Sequence, residues 1–225
     1  MKVLLVAGLL SMGAAASACA QQATTQDTEA QTLAQGVALR RSGEADSAFL
    51  RRVLPVSYPA SDHRIAYAWR PSAFGKQLLF AVTGGNGVAS SIVVLDPYQP
   101  ATYAVQQLPV VFSGDCDMAS VLSALFFADI NHDGQKELLA IGACAALEPS
   151  DYKDENGRTM LGHAERQGAV VYRYVGLDKV GRPRYEDIPT PRYLVGVETA
   201  AEARAEIAAH QWHRLARPRA GNKSK

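Results

Sequence analysis

Cysteine, net charge, long apolar runs and catalytic signatures are all scarce in this sequence, and each shortage removes a class of explanation. Three cysteines in 225 residues rule out a disulfide-dense mini-domain, and none of them sits in a C-x-x-C pair of the kind that holds zinc. A formal charge of +1 leaves no basic footprint for nucleic acid or for an anionic membrane surface. The apolar run from Val3 to Ala16 is shorter than the roughly 20 residues that cross a bilayer. No G-x-S-x-G elbow, H-E-x-x-H helix or phosphate loop occurs. The remaining composition, 48% hydrophobic and 20% charged, is that of a globular chain with one substantial core and terminal extensions.

Residues 1–20 carry an export signature: Lys2 as a positive start, an apolar stretch, then small residues. Two processing routes remain open. Ala18-Cys19-Ala20 before Gln21 is an A-x-A cleavage site, which removes Cys19. Ala16-Ser17-Ala18-Cys19 resembles a bacterial lipobox, in which Cys19 is lipidated. The expected location is therefore periplasmic or extracellular, or alternatively the outer membrane as a lipoprotein, with Cys19 as the membrane contact. An oxidising compartment favours a disulfide between the two remaining cysteines, Cys116 and Cys144. On the chain-entropy account, closing a loop of that length contributes about 3 kcal/mol.

The pattern beyond the leader predicts a mainly β fold of antiparallel hairpins, partial-propeller or sandwich-like, with N- and C-terminal α-helices. Residues 21–55 read as a polar leader and a helical segment, because Leu33, Val37, Phe49 and Val53 recur at helical spacing. Residues 56–196 read as the β-rich domain. Ile65 to Trp69, Gln77 to Thr83 and Ser91 to Asp96 are strand-like, and Asn86-Gly87 is a hairpin signal. Val105 to Phe112 carries Pro109, which predicts an edge or broken strand. Val121 to Ile130 and Glu137 to Cys144 are apolar enough for burial on two faces. Ala169 to Val175 and Arg184 to Ile188 predict a late hairpin, in which Tyr172, Tyr174 and Tyr185 fill a sheet face. Glu148 to Gly168 is polar and predicts a long surface loop or lid. Residues 197–225 read as a capped helix, with Thr199 and Glu202 as a capping box, and a basic tail.

The chemistry concentrates in 129-DINHDGQKE-137. Asp129, Asn131 and Asp133 alternate, so a tightly curled loop turns their oxygens inward together. Glycine at position 134 permits the bend that brings a backbone carbonyl, that of Gln135, round to the same centre, and Glu137 closes the set. Six to eight oxygens suit calcium. The register is not that of an EF-hand, whose twelfth position would be Ala140, and a strand-like run follows instead of a helix. The loop resembles the D-x-[DN]-x-D-G-x-x-[DE] calcium loop of FG-GAP and VCBS repeats, as found in integrin-type β-propellers, with one repeat spanning Leu125 to Cys144. The resemblance implies Asp129, Asn131, Asp133 and Glu137 as side-chain ligands, Gln135 as a backbone ligand, and two antiparallel strands as the frame. The plain alternative is an Asp-Gly turn with local Asx hydrogen bonds.

The functional expectation is a calcium-stabilised, β-rich binding or structural module with an unknown protein or glycan partner, docked at Glu148 to Gly168. One alternative is a calcium-dependent hydrolase of polysaccharide or peptide, with carboxylates near Asp115, Asp117 or Glu148. A second alternative is an inhibitor or immunity protein of a cell-envelope enzyme, which would insert the 148–168 segment into a cleft. His210 and His213 on the last helix read as a helix face, since no third zinc ligand accompanies them.

Overall fold

The computed structural model describes residues 29–54, 64–82, 91–112 and 121–216, with side chains as far as residue 211. Their strands form two antiparallel sheets. The first contains β1 (Val37–Leu39), β2 (Arg64–Tyr67), β3 (Gln77–Val82), β4 (Ser91–Gln99) and β5 (Thr102–Pro109), in the order β1-β5-β4-β3-β2. The second is a meander of β6 (Val121–Ala128), β7 (Glu137–Lys153), β8 (Thr159–Leu177) and β9 (Pro183–Ile188), in sequence order. Two helices, α1 (Asp46–Val53) and α2 (Ala200–Ala216), and a 3-10 turn at Arg192–Leu194 complete the elements used below.

Strand periodicity explains the layering. In β4 the run Ile92-Val93-Val94-Leu95 is fully buried, and alternate residues serve different cores. Ile92 and Val94 join Leu79, Leu108, Leu138, Ala140 and Tyr172 between the two sheets. Val93 and Leu95 point the other way and pack with Phe49, Leu50 and Val53 of α1. The second sheet repeats the scheme: Leu139, Ile141, Ala169 and Val171 face Leu194, Ala203 and Ile207. The order of layers is therefore α1, first sheet, second sheet, α2. A strand covered on both faces is apolar nearly throughout, and the central strands follow this apart from the buried polar residues Gln77, Ser91, Asp96 and Glu137. Each buried Leu, Ile or Val contributes roughly 1.5–3 kcal/mol relative to exposure.

A polar clamp joins the sheets. Arg70 is 8% exposed and Asp96 0%. Arg70 Nε donates to Asp96 Oδ2 at 2.6 Å, and Nη2 donates to Oδ1 at 2.8 Å. Gln77 Nε2 and the Tyr185 hydroxyl, from β3 and β9, also donate to that carboxylate at 3.2 and 2.6 Å. Burial by itself would lower the Arg70 pKa, but the bond and charge of Asp96 outweigh it and raise it. A buried charge so completely partnered is tolerated, whereas one left alone would not be.

Several expectations are corrected. The helical segment expected within residues 21–55 is interrupted. Residues 29–34 are helical, Gly36 turns at φ 76, and Val37 pairs with Ala104 in the sheet instead of continuing the helix. A Cβ at Gly36 would lie 3.0 Å from the Val105 carbonyl, so the backbones approach too closely for a side chain. The strand expected from Val105 starts at Thr102 and lies between β1 and β4; Pro109 stands beyond the end of β1 and so removes no ladder bond to it. β6 is an edge strand, half-exposed, and is not buried on two faces.

The largest correction concerns residues 148–168. Instead of a loop they form the outer part of the β7–β8 hairpin, paired from Leu147↔His163 through Pro149↔Leu161 to Lys153↔Thr159. The tip is 154-DENGR-158. Asp154 Oδ1 accepts from the N–H groups of Asn156 and Arg158 at 2.9 and 2.8 Å, and Gly157 takes φ 76. The expected capping box on α2 forms with a shift. Glu202 N donates to Thr199 Oγ1 at 3.1 Å, while the Glu202 carboxylate accepts from Glu198 N at 2.9 Å. The Asn86-Gly87 turn lies outside the described residues.

Candidate metal centre and the adjoining cavity

The Asp129 loop joins β6 to β7 as an antiparallel hairpin, closed by the Ala128↔Glu137 pair. Its curl is built from side-chain oxygens accepting backbone N–H groups. Asp129 accepts from Asp133 N and Gly134 N at 3.1 and 3.0 Å, Asn131 Oδ1 from Asp133 N at 2.9 Å, and Asp133 Oδ1 from Gln135 N at 2.7 Å. His132 and Gly134 adopt φ 63 and 88. These left-handed positions turn the chain twice within three residues. His132 Nε2 is buried without a hydrogen-bond partner among the described residues.

Glu137 is the buried member, 2% exposed at the first position of β7. Its Oε2 accepts from Ile130 N at 3.0 Å, and its Oε1 accepts from Asn131 Nδ2 at 3.1 Å. The same Asn131 nitrogen reaches Asp133 Oδ2 at 3.0 Å. Burial pushes the Glu137 carboxyl above the usual carboxylate range, and the Ile130 N–H pulls it back. The negative charges of Asp133 and Asp129 add to the upward push. The loop therefore sets two carboxylates, Asp133 and Glu137, on one amide nitrogen, with Asp129 turned to the backbone N–H groups of Asp133 and Gly134.

Two neighbours hold the loop in place. Trp69 Nε1 donates to the Lys136 carbonyl at 2.8 Å, and the Tyr193 hydroxyl donates to the Ile130 carbonyl at 3.0 Å. Tyr193 in turn stacks on His210 of α2 at 4.3 Å between ring centres. His210 thus works as a packed helix-face residue; the side chain of His213 lies outside the described set. Both faces of the second sheet send an anchor to this loop.

The donor chemistry suits a hard cation, being carboxylate, amide and backbone oxygen throughout. Among the described residues, no group of three or more His, Cys, Asp or Glu is gathered closely enough to hold a metal as it stands. The Asn131 NH2 lies between Asp133 and Glu137. Turning that amide over would present Oδ1 in its place, at the loss of the bond that Oδ1 accepts from Asp133 N.

Beside the loop opens a cavity of about 420 Å³, bounded by Trp69, Asp133, Lys136, Glu137, Arg173 and Tyr174. Sequence reasoning missed Trp69, Arg173 and Tyr174 as site neighbours, because Trp69 follows β2 and the other two lie on β8, and only the packing of the sheets brings them to the loop. The carboxylates near Asp115 and Asp117, and Cys116 and Cys19, lie outside the described residues. Glu148 is on the projecting hairpin, ion-paired with Arg166, and stands apart from the cavity residues. Cys144 is 3% exposed on β7. Among the described residues no helix is long and apolar enough to cross a membrane. The chain matches no protein-family profile, no curated protein and no solved structure.

Proposed function

We propose that this chain is an exported, calcium-stabilised binding module, with the loop as scaffold and the β7–β8 arm as the element offered to a partner. The observation that carries the reading is the arm. β7 and β8 run on past their last described pairs with β6 at Ala143 and with β9 at Val171. Ten residues of strand reach about 30 Å. Leu147, Tyr152, Met160 and Leu161 are exposed along it, at 44, 78, 51 and 63%. Pro149 and Leu161 are direct cross-strand partners, and Leu147 is on the same face two residues away. Exposed apolar side chains collected on a projecting ribbon mark an interaction surface more than a packing need.

The same protrusion favours a second reading, an inhibitor or immunity protein that inserts a stiff hairpin into the cleft of a cell-envelope enzyme. Either way the base is steadied by calcium at Asp129, Asn131, Asp133, Gln135 and Glu137. A Cys116–Cys144 disulfide would staple the strand that follows the loop. Export rests on residues 1–20.

The calcium part is tested by thermal melts of the chain from Gln21 onward, with calcium and with chelator. The midpoint of the native chain should rise with calcium and that of Asp133→Ala should not. A flat response in both leaves the loop as a decorated turn. The arm part is tested by a photo-crosslinker placed at Leu161 and, as a control, at exposed Val180. A defined adduct from cell-envelope extract at position 161 alone is the expected result, and equal labelling at both sites counts against it.

A further inference from the structure

The α1 side of the first sheet carries a second cavity, of about 220 Å³. Its lining follows from strand alternation. Leu78 and Phe80 of β3 face α1, so Arg64 and Ala66 of β2, their cross-strand partners, stand on that face too. Tyr103 packs in the same core and on the Phe49 ring, with 4.8 Å between ring centres, and Pro97 is its cross-strand partner. Gln77 points the opposite way, to Asp96, so Lys76 before it continues the face of Leu78. Arg64, Lys76, Leu78, Pro97 and Tyr103 all bound the cavity, together with Phe74, which is 47% exposed. Among the described residues, the one acid lining it, Asp46, is ion-paired with Arg40, whose guanidinium also donates to the Glu44 carbonyl at 2.8 Å. Arg64 and Lys76 are different. Both are exposed, and among the described residues neither side chain has an ion pair or a hydrogen bond. They lie four strand positions apart, about 13 Å, and the Ala66–Leu78 pair between them has only a methyl group on β2. Two long side chains can lean over it from either end and meet on one anion.

We infer that this cavity binds a small phosphomonoester carried on an apolar ring, an aryl phosphate being the simplest case. The free cations set the charge. A phosphomonoester carries about −1.5 to −2 near neutral pH and offers three acceptor oxygens. Arginine engages two of them through its planar fork, and lysine meets the third as a point charge. A carboxylate would satisfy Arg64 alone and leave Lys76 idle. The walls set the stem: Phe74, Pro97 and Tyr103 are flat and apolar, and a ring laid against them buries surface that the core does not use. The volume sets the size. Drug-sized ligands occupy roughly 300–1,000 Å³, so this smaller space admits one ring and its phosphate. The cavity shares no residue with the Asp129 loop or the β7–β8 arm, and the inference therefore stands apart from the calcium reading and from the arm.

The test is calorimetric titration of phenyl phosphate into the whole chain from Gln21 onward, with inorganic phosphate, benzoate and phenol as controls. Phenyl phosphate should bind about tenfold more tightly than inorganic phosphate or benzoate, and phenol should give no heat. Arg64→Gln and Lys76→Gln should each weaken it about tenfold, the scale of one charge-assisted hydrogen bond. The melting temperature should not change in either variant, because both side chains are exposed. Phe74→Ala should weaken phenyl phosphate and leave inorganic phosphate as it was. Lys179→Gln, at an exposed cation of the β8–β9 turn, should alter nothing. If phenyl phosphate does not bind, the inference fails. Inorganic phosphate binding equally well means an adventitious ion only and overturns the ring, and benzoate binding equally well overturns the phosphate. Tight binding that ignores both cation variants puts the ligand elsewhere and overturns the site.

Discussion

The hairpin of β7 and β8 contains two regions with the same backbone pairing and opposite surroundings. At its base, Leu138, Leu139, Ala140 and Ile141 are each 0% exposed, covered by the first sheet on one side and by α2 on the other. In the arm, from Leu147 outward, exposed residues alternate with half-buried ones, and the exposed residues include Tyr152 at 78%. Hydrogen-bond ladders are therefore not what makes the base strong. Two strands alone are marginal in water, and stability comes from the apolar faces they bury. The base is a platform that holds the loop and cavity in place. The arm is free to answer to something else.

The severest break in the comparison should come from the buried clamp that fastens the base to the first sheet. Asp96→Ala leaves the Arg70 guanidinium buried without its carboxylate and should cost about 3–5 kcal/mol, read as a large fall in the urea midpoint. Leu139→Ala at the base should cost about 2–5 kcal/mol through lost burial and a residual cavity. The same truncation on the arm, Leu161→Ala, should stay within about 0.5 kcal/mol while weakening any crosslinked partner. If the two leucine variants destabilise equally, the arm is not an independent surface.

Alkaline titration sharpens the contrast between buried and exposed rings. Burial, reinforced by the charge of Asp187, raises the Tyr172 pKa, and burial with the Asp96 charge and bond raises that of Tyr185. In the folded chain these two phenols hold their protons past pH 10, while the unfolded chain releases them near pH 10. The native state then binds more protons than the unfolded one, so stability falls as the pH rises above about 10. Absorbance titration of the chain, which has nine tyrosines, should leave two unionised until cooperative unfolding. The smallest effect is kinetic: backbone amides of the arm should exchange with solvent sooner than those of 138–142, because less burial protects them.

The legibility of the chain follows the same division. Strands buried on both faces, such as Ser91 to Asp96 and Glu137 onward, were readable because continuous apolar runs have one economical use. The arm was not, since 148-EPSDYKDENGRT-159 carries no hydrophobic period and looks like a loop. Its turn did carry a signal. The tip 154-DENGR-158 and the β8–β9 turn 178-DKVGR-182 share the pattern D-x-x-G-R, and Asp178 Oδ1 accepts from Val180 N and Arg182 N at 2.9 and 2.8 Å just as Asp154 does from its own partners. The spacing of Val37 from Leu33 fits a helix, but a close approach to β5 overrides that local preference.

What the sequence alone determined is local: the curl of the Asp129 loop, the glycine that permits it, the capped last helix and the apolar central strands. These depend on contacts within a few residues, so spacing and side-chain type suffice to specify them. The tertiary structure decided everything that needs distant segments to meet. It set Arg70 on Asp96, Trp69 and Tyr193 on the two ends of the loop, and Arg173 in the same cavity as Lys136. Each of those partners is far away along the chain, and only the packing of two sheets through a shared apolar core fixes which of them become neighbours.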